Sequence, residues 1–122
     1  MRVPLALYGA VLCLCAAPIL SAQDAVKTDP KHYSVVSEND QVRILKVHYG
    51  PHEKSVMHSH PNLVAVFLTD SKVQMTLADG KKVDQSVKAG ESQYVAAGTH
   101  LPENVTDQPM EVILVELKGA AK

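Results

Sequence analysis

Lys72-Val73-Gln74-Met75-Thr76-Leu77-Ala78-Asp79-Gly80-Lys81 decides the fold class. Val73, Met75 and Leu77 alternate with Lys72, Gln74 and Thr76, and a period of two places the apolar residues on one buried face of a strand. Asp79-Gly80 separates that run from the polar strand Lys82–Lys88, a pattern that predicts a hairpin with a two-residue turn. Outward in both directions the chain breaks into similar short β-prone runs. Tyr33–Ser37 stops at Glu38-Asn39-Asp40, Val42–Tyr49 at Gly50-Pro51, and Leu63–Leu68 at Thr69-Asp70-Ser71. Ser92–Ala96 precedes Gly98-Thr99, and Val112–Leu117 is a last strand apolar on both faces. No segment beyond residue 22 sustains helical periodicity over three turns. With an extended Met57–His60, these runs make about eight strands at short, regular spacing, which predicts an all-β antiparallel domain, a closed barrel or a double-sheet jelly roll.

The first 22 residues read differently. Arg2 is the sole charge before Asp24, and the apolar stretch from Val3 to Ala17 is followed by Pro18 and the small residues Ser21-Ala22. A basic start, a short apolar run and a small-residue finish describe a signal peptide over residues 1–22, with cleavage after Ala22. The competing reading is an uncleaved membrane anchor, which the shortness of the run and Pro18 disfavour. Neither Cys13 nor Cys15 follows the small residue that a lipid-attachment signal needs. Cleavage leaves 100 of the 122 residues, one domain's worth, and predicts an exported protein, periplasmic or secreted, with no stable membrane insertion. The brevity of the signal suits a bacterium.

Both cysteines leave with the signal, so packing or a metal must stabilise the remainder without a disulfide. Loss of Arg2 takes the formal charge from −1 to −2. That balance, with no Trp and one Phe, excludes a nucleic-acid partner and leaves a small molecule or an ion. Residues 23–37 are read as a polar lead-in, mobile up to a possible first strand at Tyr33, ahead of the β domain at 38–119.

Six histidines carry the candidate chemistry: His32, His48, His52, His58, His60 and His100. In the extended Met57-His58-Ser59-His60 the two imidazoles project from one face, their Cα atoms roughly 6–7 Å apart, a separation from which both rings reach one ion. The competing reading of His-x-His is an ordinary exposed pair. About forty residues on, Gly90 to Asn104 takes a strand into a glycine turn at Gly98-Thr99 that presents His100. His52 is a surface or supporting residue of the Gly50–Ser55 turn, while His48 and His32 are strand-edge and tail residues. Tyr94 is read as core packing or as a residue lining the interior. Asn104-Val105-Thr106 spells a glycosylation acceptor, meaningful in a eukaryotic secretory pathway.

On these residues the chain resembles the small single-domain cupins (the type-2, RmlC-like superfamily), whose motifs are written G-x5-H-x-H-x3,4-E-x6-G and G-x5-P-x-G-x2-H-x3-N. Gly90, Gly98, His100 and Asn104 match the second motif, with Ala96 in place of its Pro and one residue fewer between Gly98 and His100. His58 and His60 match the first, with Gly50 eight positions ahead rather than six. The resemblance covers about residues 40–117 and implies a cupin-like antiparallel jelly-roll barrel, paired into a homodimer through an edge strand.

The resemblance also implies His58, His60 and His100 as metal ligands. It implies no carboxylate: Val64 or Ala65 stands where the family places its Glu, and Ser71 or Lys72 where it places the closing Gly. Glu103, Glu53 and Asn62 are the candidate substitutes, each also readable as a solvated loop residue. Three neutral imidazoles leave the ion's charge uncompensated and positions open to an anionic oxygen or sulfur ligand. Iron(II), zinc, manganese and nickel all suit imidazole. The implied function is a metal-dependent oxygenase, isomerase or lyase acting on a small anionic substrate. The alternatives are a non-catalytic module that binds metal or a small ligand, and a structural protein with an empty site.

Export is directly testable. The mature amino terminus is expected within residues 21–26 by intact-mass measurement on protein from its native host; a chain starting at Met1 would refute it.

Overall fold

The computed structural model of the protein describes residues 23–119, and the expected signal peptide, residues 1–22, lies outside them. A single helical turn, α1 (Ala25–Thr28), precedes nine strands: β1 (Tyr33–Glu38), β2 (Val42–Tyr49), β3 (His58–His60), β4 (Leu63–Phe67), β5 (Ser71–Leu77), β6 (Lys82–Val87), β7 (Ser92–Val95), β8 (Gly98–Asn104) and β9 (Met110–Leu117). They form a five-stranded sheet, β1-β2-β9-β4-β7, and a four-stranded sheet, β3-β8-β5-β6. Every pairing between strands is antiparallel. Among the described residues no ladder joins the two sheets, so the architecture is the double-sheet jelly roll and not a closed barrel.

Alternation sets the inner face of each strand. Leu45, Val47 and Tyr49 of β2, Leu63, Ala65 and Phe67 of β4, and Met110 and Val112 of β9 meet Val73 and Val87 of the other sheet in one buried cluster. The outer residues of β2, Lys46 and His48, stay in solvent. That two-face segregation specifies the register, because a slip of one residue would turn the buried set outward.

The lead-in is part of this fold and not a mobile tail. Asp24 joins Ser59 in a parallel bridge, its carboxylate pairs with Arg43, and Ala25 is 2 % exposed within the core cluster. Asp29 and His32 are buried as well. The segment reads as polar, but its carboxylates and histidine point inward to partners.

The eighth strand, β8, is where a glycine turn was expected. Gly98 pairs with His60 and lacks a positive φ, and Pro102 sits in the middle of the strand. Pro102 is tolerated because its carbonyl accepts from Ser55 N (2.9 Å), so its missing N–H also faces the 53–55 loop, not the ladder with β5.

The hairpin after Leu77 also differs from expectation. Gly80 N donates to Leu77 O (2.9 Å), Leu77 N to Lys81 O (2.8 Å), and Lys81 N to Asp79 Oδ1 (2.9 Å). Asp79 keeps a negative φ while Gly80 has φ +87°, so the loop is a tight turn closed by a left-handed glycine, with three residues instead of two. A Cβ on Gly80 would meet nothing within 4 Å, which leaves backbone strain as the whole cost of a substitution. Gly80→Val is expected to lose about 1–2 kcal/mol by chemical denaturation; an unchanged midpoint would contradict the turn.

Candidate functional site

The pairing of β3 with β8 sets His58 directly opposite His100, and His60 opposite Gly98, with all three rings on the inner face. The ring of His58 lies 4.9 Å from that of His100, edge to face, and the ring of His60 lies 4.5 Å from it, tilted. Two of the rings are held in a defined tautomer. His58 Nδ1 donates to Val56 O (2.9 Å) and lies 3.1 Å from Ser55 Oγ, while His60 Nδ1 donates to Pro61 O (2.9 Å). A carbonyl can only accept, so Nδ1 carries the hydrogen and Nε2 keeps its lone pair.

Burial also keeps His58 and His100 uncharged. His58 is 1 % exposed, and desolvation holds its pKa below the ordinary histidine value against the opposing bond to Val56. His100 is pushed down to about 3 by burial and by the neighbouring His60 and His58. Neutral rings with free Nε2 atoms are the donor chemistry that a borderline divalent ion requires. Among the described residues, however, no three His, Cys, Asp or Glu side chains are already arranged to hold a metal.

Behind His58 lies a buried polar chain. Ser55 Oγ donates to Asp29 Oδ2 (2.6 Å), and His32 Nδ1 meets the same oxygen at 2.7 Å. His32 stacks on Tyr49 with ring centroids 4.3 Å apart, Tyr49 shares a 2.6 Å hydroxyl contact with Tyr33, and the Tyr33 ring stands edge-on to His58 at 4.9 Å. Burial raises the pKa of both tyrosines, which keeps their hydroxyls neutral.

The histidines open on a cavity of about 510 Å³ between the two sheets. Its wall is mostly apolar, with Phe67, Met75, Leu114 and their neighbours. The polar exceptions include the three histidines, a rim pair in which Gln85 Nε2 donates to Gln93 Oε1 (2.6 Å), and Glu116. Glu116 is 3 % exposed; Arg43 Nε donates to its Oε1 (2.6 Å), and the same guanidinium binds Asp24.

No protein-family model and no curated protein matches the sequence. Solved structures do match in fold. A cupin domain from Bordetella pertussis Tohama I has TM-score 0.67 and 21 % identity, covering 71 % of this chain and 92 % of its own. A double-stranded β-helix protein from Klebsiella pneumoniae has TM-score 0.59 at 18 % identity, over 88 % and 95 % of the two chains. An RmlC-like cupin family protein from Methanocaldococcus jannaschii has TM-score 0.56 at 16 % identity, over 70 % and 77 %. The fold is that of a small cupin domain.

Within this cupin-like fold the histidines expected from sequence cluster, and the expected substitutes for the missing glutamate do not join them. Ala65 occupies the motif position on the inner face, and Val64 faces outward. Glu53 binds Lys31 and Gly50 N, which hold its carboxyl down at about 2. Glu103 pairs with Gln74 on the outer face, and Asn62 Oδ1 accepts from Ala97 N (2.8 Å). His52, at φ +58°, meets Asp107 at 2.5 Å on the surface, and His48 is exposed beside Glu111. Tyr94 is 61 % exposed and touches the cavity at its rim. Asn104 is no glycosylation acceptor: it is 0 % exposed and donates to Gly50 O (3.0 Å) and Gln108 O (2.7 Å).

His32, read from sequence as a tail residue, is buried behind His58, and Glu116 was passed over. A period-two reading of β9 from Met110 through Val112 and Leu114 lands on Glu116, which is the signal that marks it as an inward carboxylate.

Asp29→Ala would strip the buried His32 Nδ1 and Ser55 Oγ of their shared acceptor. The expected loss is about 2–4 kcal/mol by chemical denaturation; a loss within the scatter of surface substitutions would show that the chain behind His58 is not structural.

Proposed function

We propose that this cupin domain binds one divalent metal ion through His58, His60 and His100 and presents it to a small ligand in the adjoining cavity. The observation that carries this reading is the tautomer lock. Two backbone carbonyls hold Nδ1 of His58 and His60, which leaves Nε2 of each ring as the nitrogen available to an ion beside the cavity that both residues line. Iron(II), zinc, manganese and nickel are the ions in question. Bound there, the ion would supply a Lewis acid with open positions for an anionic or enolic oxygen, or a thiolate.

The chain's own residues do the rest. The apolar walls exclude water from the bound ligand, Tyr33 packs against His58, and Ser55 with Asp29 fixes that ring from behind. The wider reading is a metal-dependent oxygenase, isomerase or lyase, and its alternative is a binding module that uses the same site without turnover. The buried carboxylate of Glu116 in the cavity wall favours the first, because it places a proton acceptor near the ligand space. The proposal includes export and a homodimer formed through an edge strand. β1 is an edge of the larger sheet, with Val35 and Val36 exposed.

Titration of metal-stripped protein with iron(II), zinc, manganese and nickel tests the site. His58→Ala, His60→Ala and His100→Ala are each expected to weaken binding by about a hundredfold or more, since even outer-shell losses reach that scale. His48→Ala and His52→Ala should leave it unchanged. A His58→Ala/His60→Ala double variant that binds as tightly as the parent would refute the reading.

A further inference from the structure

Among the described residues, two buried side-chain atoms have no hydrogen-bond partner, His32 Nε2 and Glu116 Oε2. The first faces Glu53 Oε1 at 3.5 Å, so a charged neighbour accounts for it. The second belongs to a carboxylate whose charged neighbour, Arg43, bonds its other oxygen. Glu116 Oε1 is taken by Arg43, and the side chain lies in the wall of the 510 Å³ cavity on the face shared by Val112 and Leu114. A carboxylate oxygen withdrawn from water with nothing donating to it is costly, and native structures satisfy such atoms with a protein group, a water or a ligand.

We infer that Glu116 Oε2 is the acceptor for a hydroxyl or N–H group of the molecule that occupies the cavity. The expected ligand is then an apolar body with one such donor, as in a phenol, an enol or a hydroxy acid. Three features support this assignment. The cavity wall is mostly apolar, so a polar anchor inside it selects orientation more than it adds general affinity. The terminal torsion of a glutamate is soft, so Oε2 can turn toward a donor while Arg43 keeps Oε1. The cross-strand pairing of Glu116 on β9 with Leu63 sets it beside the start of β4, the strand that follows His60, at the histidine end of the cavity. The inference rests on the reading of the cavity as a ligand site, and it does not require the metal.

The test uses a matched pair of probes, 4-propylphenol and 4-propylanisole, which differ by a methyl group on the oxygen. Binding is measured calorimetrically to the protein as isolated and again after removal of metal by a chelator. The phenol is expected to bind at least about tenfold more tightly than the ether in both states, because a site built around a hydrogen bond rejects the analogue lacking it. In Glu116→Gln the amide oxygen still serves Arg43, and the amide nitrogen donates to either probe oxygen, so the preference should collapse. If Glu116→Gln does not fold, protein with 13C-labelled glutamate carboxyls serves instead: the resonance of the buried glutamate should shift with the phenol and not with the ether.

Equal binding of the two probes, a preference that survives in Glu116→Gln, or no binding by either would overturn the assignment, the last leaving an ordered water as the partner. A tenfold fall in metal affinity in Glu116→Gln would also overturn it, by making Glu116 a ligand of the ion. Failure of the metal titrations alone leaves the probe preference of metal-free protein standing, so the two readings fail separately.

Discussion

Asp29 Oδ2 accepts from both Ser55 and His32 in a place closed to water, and this shared acceptor ties three separate parts of the chain together. It anchors the segment that follows α1, it fixes the loop before β3, and through Ser55 it sets the ring of His58. A carboxylate holding two buried donors is worth more than the pair of bonds taken singly, because loss of either side strands the other in a low-dielectric interior. The site thus depends on residues outside the two histidine motifs, in a part of the chain whose composition is that of a tail.

Legibility followed periodicity. Strands with clean alternation, β2, β5 and β6, stand within a residue or two of where their pattern places them. His58 and His60 fall on one inner face for the same reason. β8 was hidden because Gly98 and Pro102 are local punctuation for a loop, and what overrides them is tertiary: the 53–55 loop takes the carbonyl of Pro102, and β5 takes the other edge. The docked lead-in was hidden because Asp24, Asp29 and His32 are polar, and their burial depends on Arg43 and Ser55, which lie 19 and 26 residues away from Asp24 and Asp29 respectively. Hydropathy cannot report a long-range partner. Glu116 was legible and was missed, since a strand apolar on both faces draws attention from the one inward residue that is charged.

The motif residues themselves divide into two kinds of work. His58, His60 and His100 face the cavity, whereas Asn104 is consumed by the fold. Its amide spans Gly50 and Gln108, and its Oδ1 accepts from Thr106 N (3.1 Å), closing the loop before β9 onto the turn after β2. Val73 is its partner across β5. The same asparagine that completes the second motif therefore holds the strand carrying His100 in register, a role in the fold separate from that of the histidines.

The charge inventory of the interior narrows what can occupy it. In the sequence pattern that the chain resembles, a carboxylate sits with the histidines; here Ala65 stands at that position and the interior carboxylate is on β9. Glu116 shares Arg43 with Asp24, so the three side chains together carry one net negative charge. His58 and His100 add none, because burial holds both rings neutral. A divalent ion among them would keep most of its charge for its ligand, and attraction across an apolar cavity is far stronger than in water. An anionic oxygen on the ion and a neutral donor toward Glu116 are then favoured together, while a second anion at Glu116 is repelled. On the proposed reading, the interior would select a ligand that is polar at the histidine end and apolar over the rest of its surface.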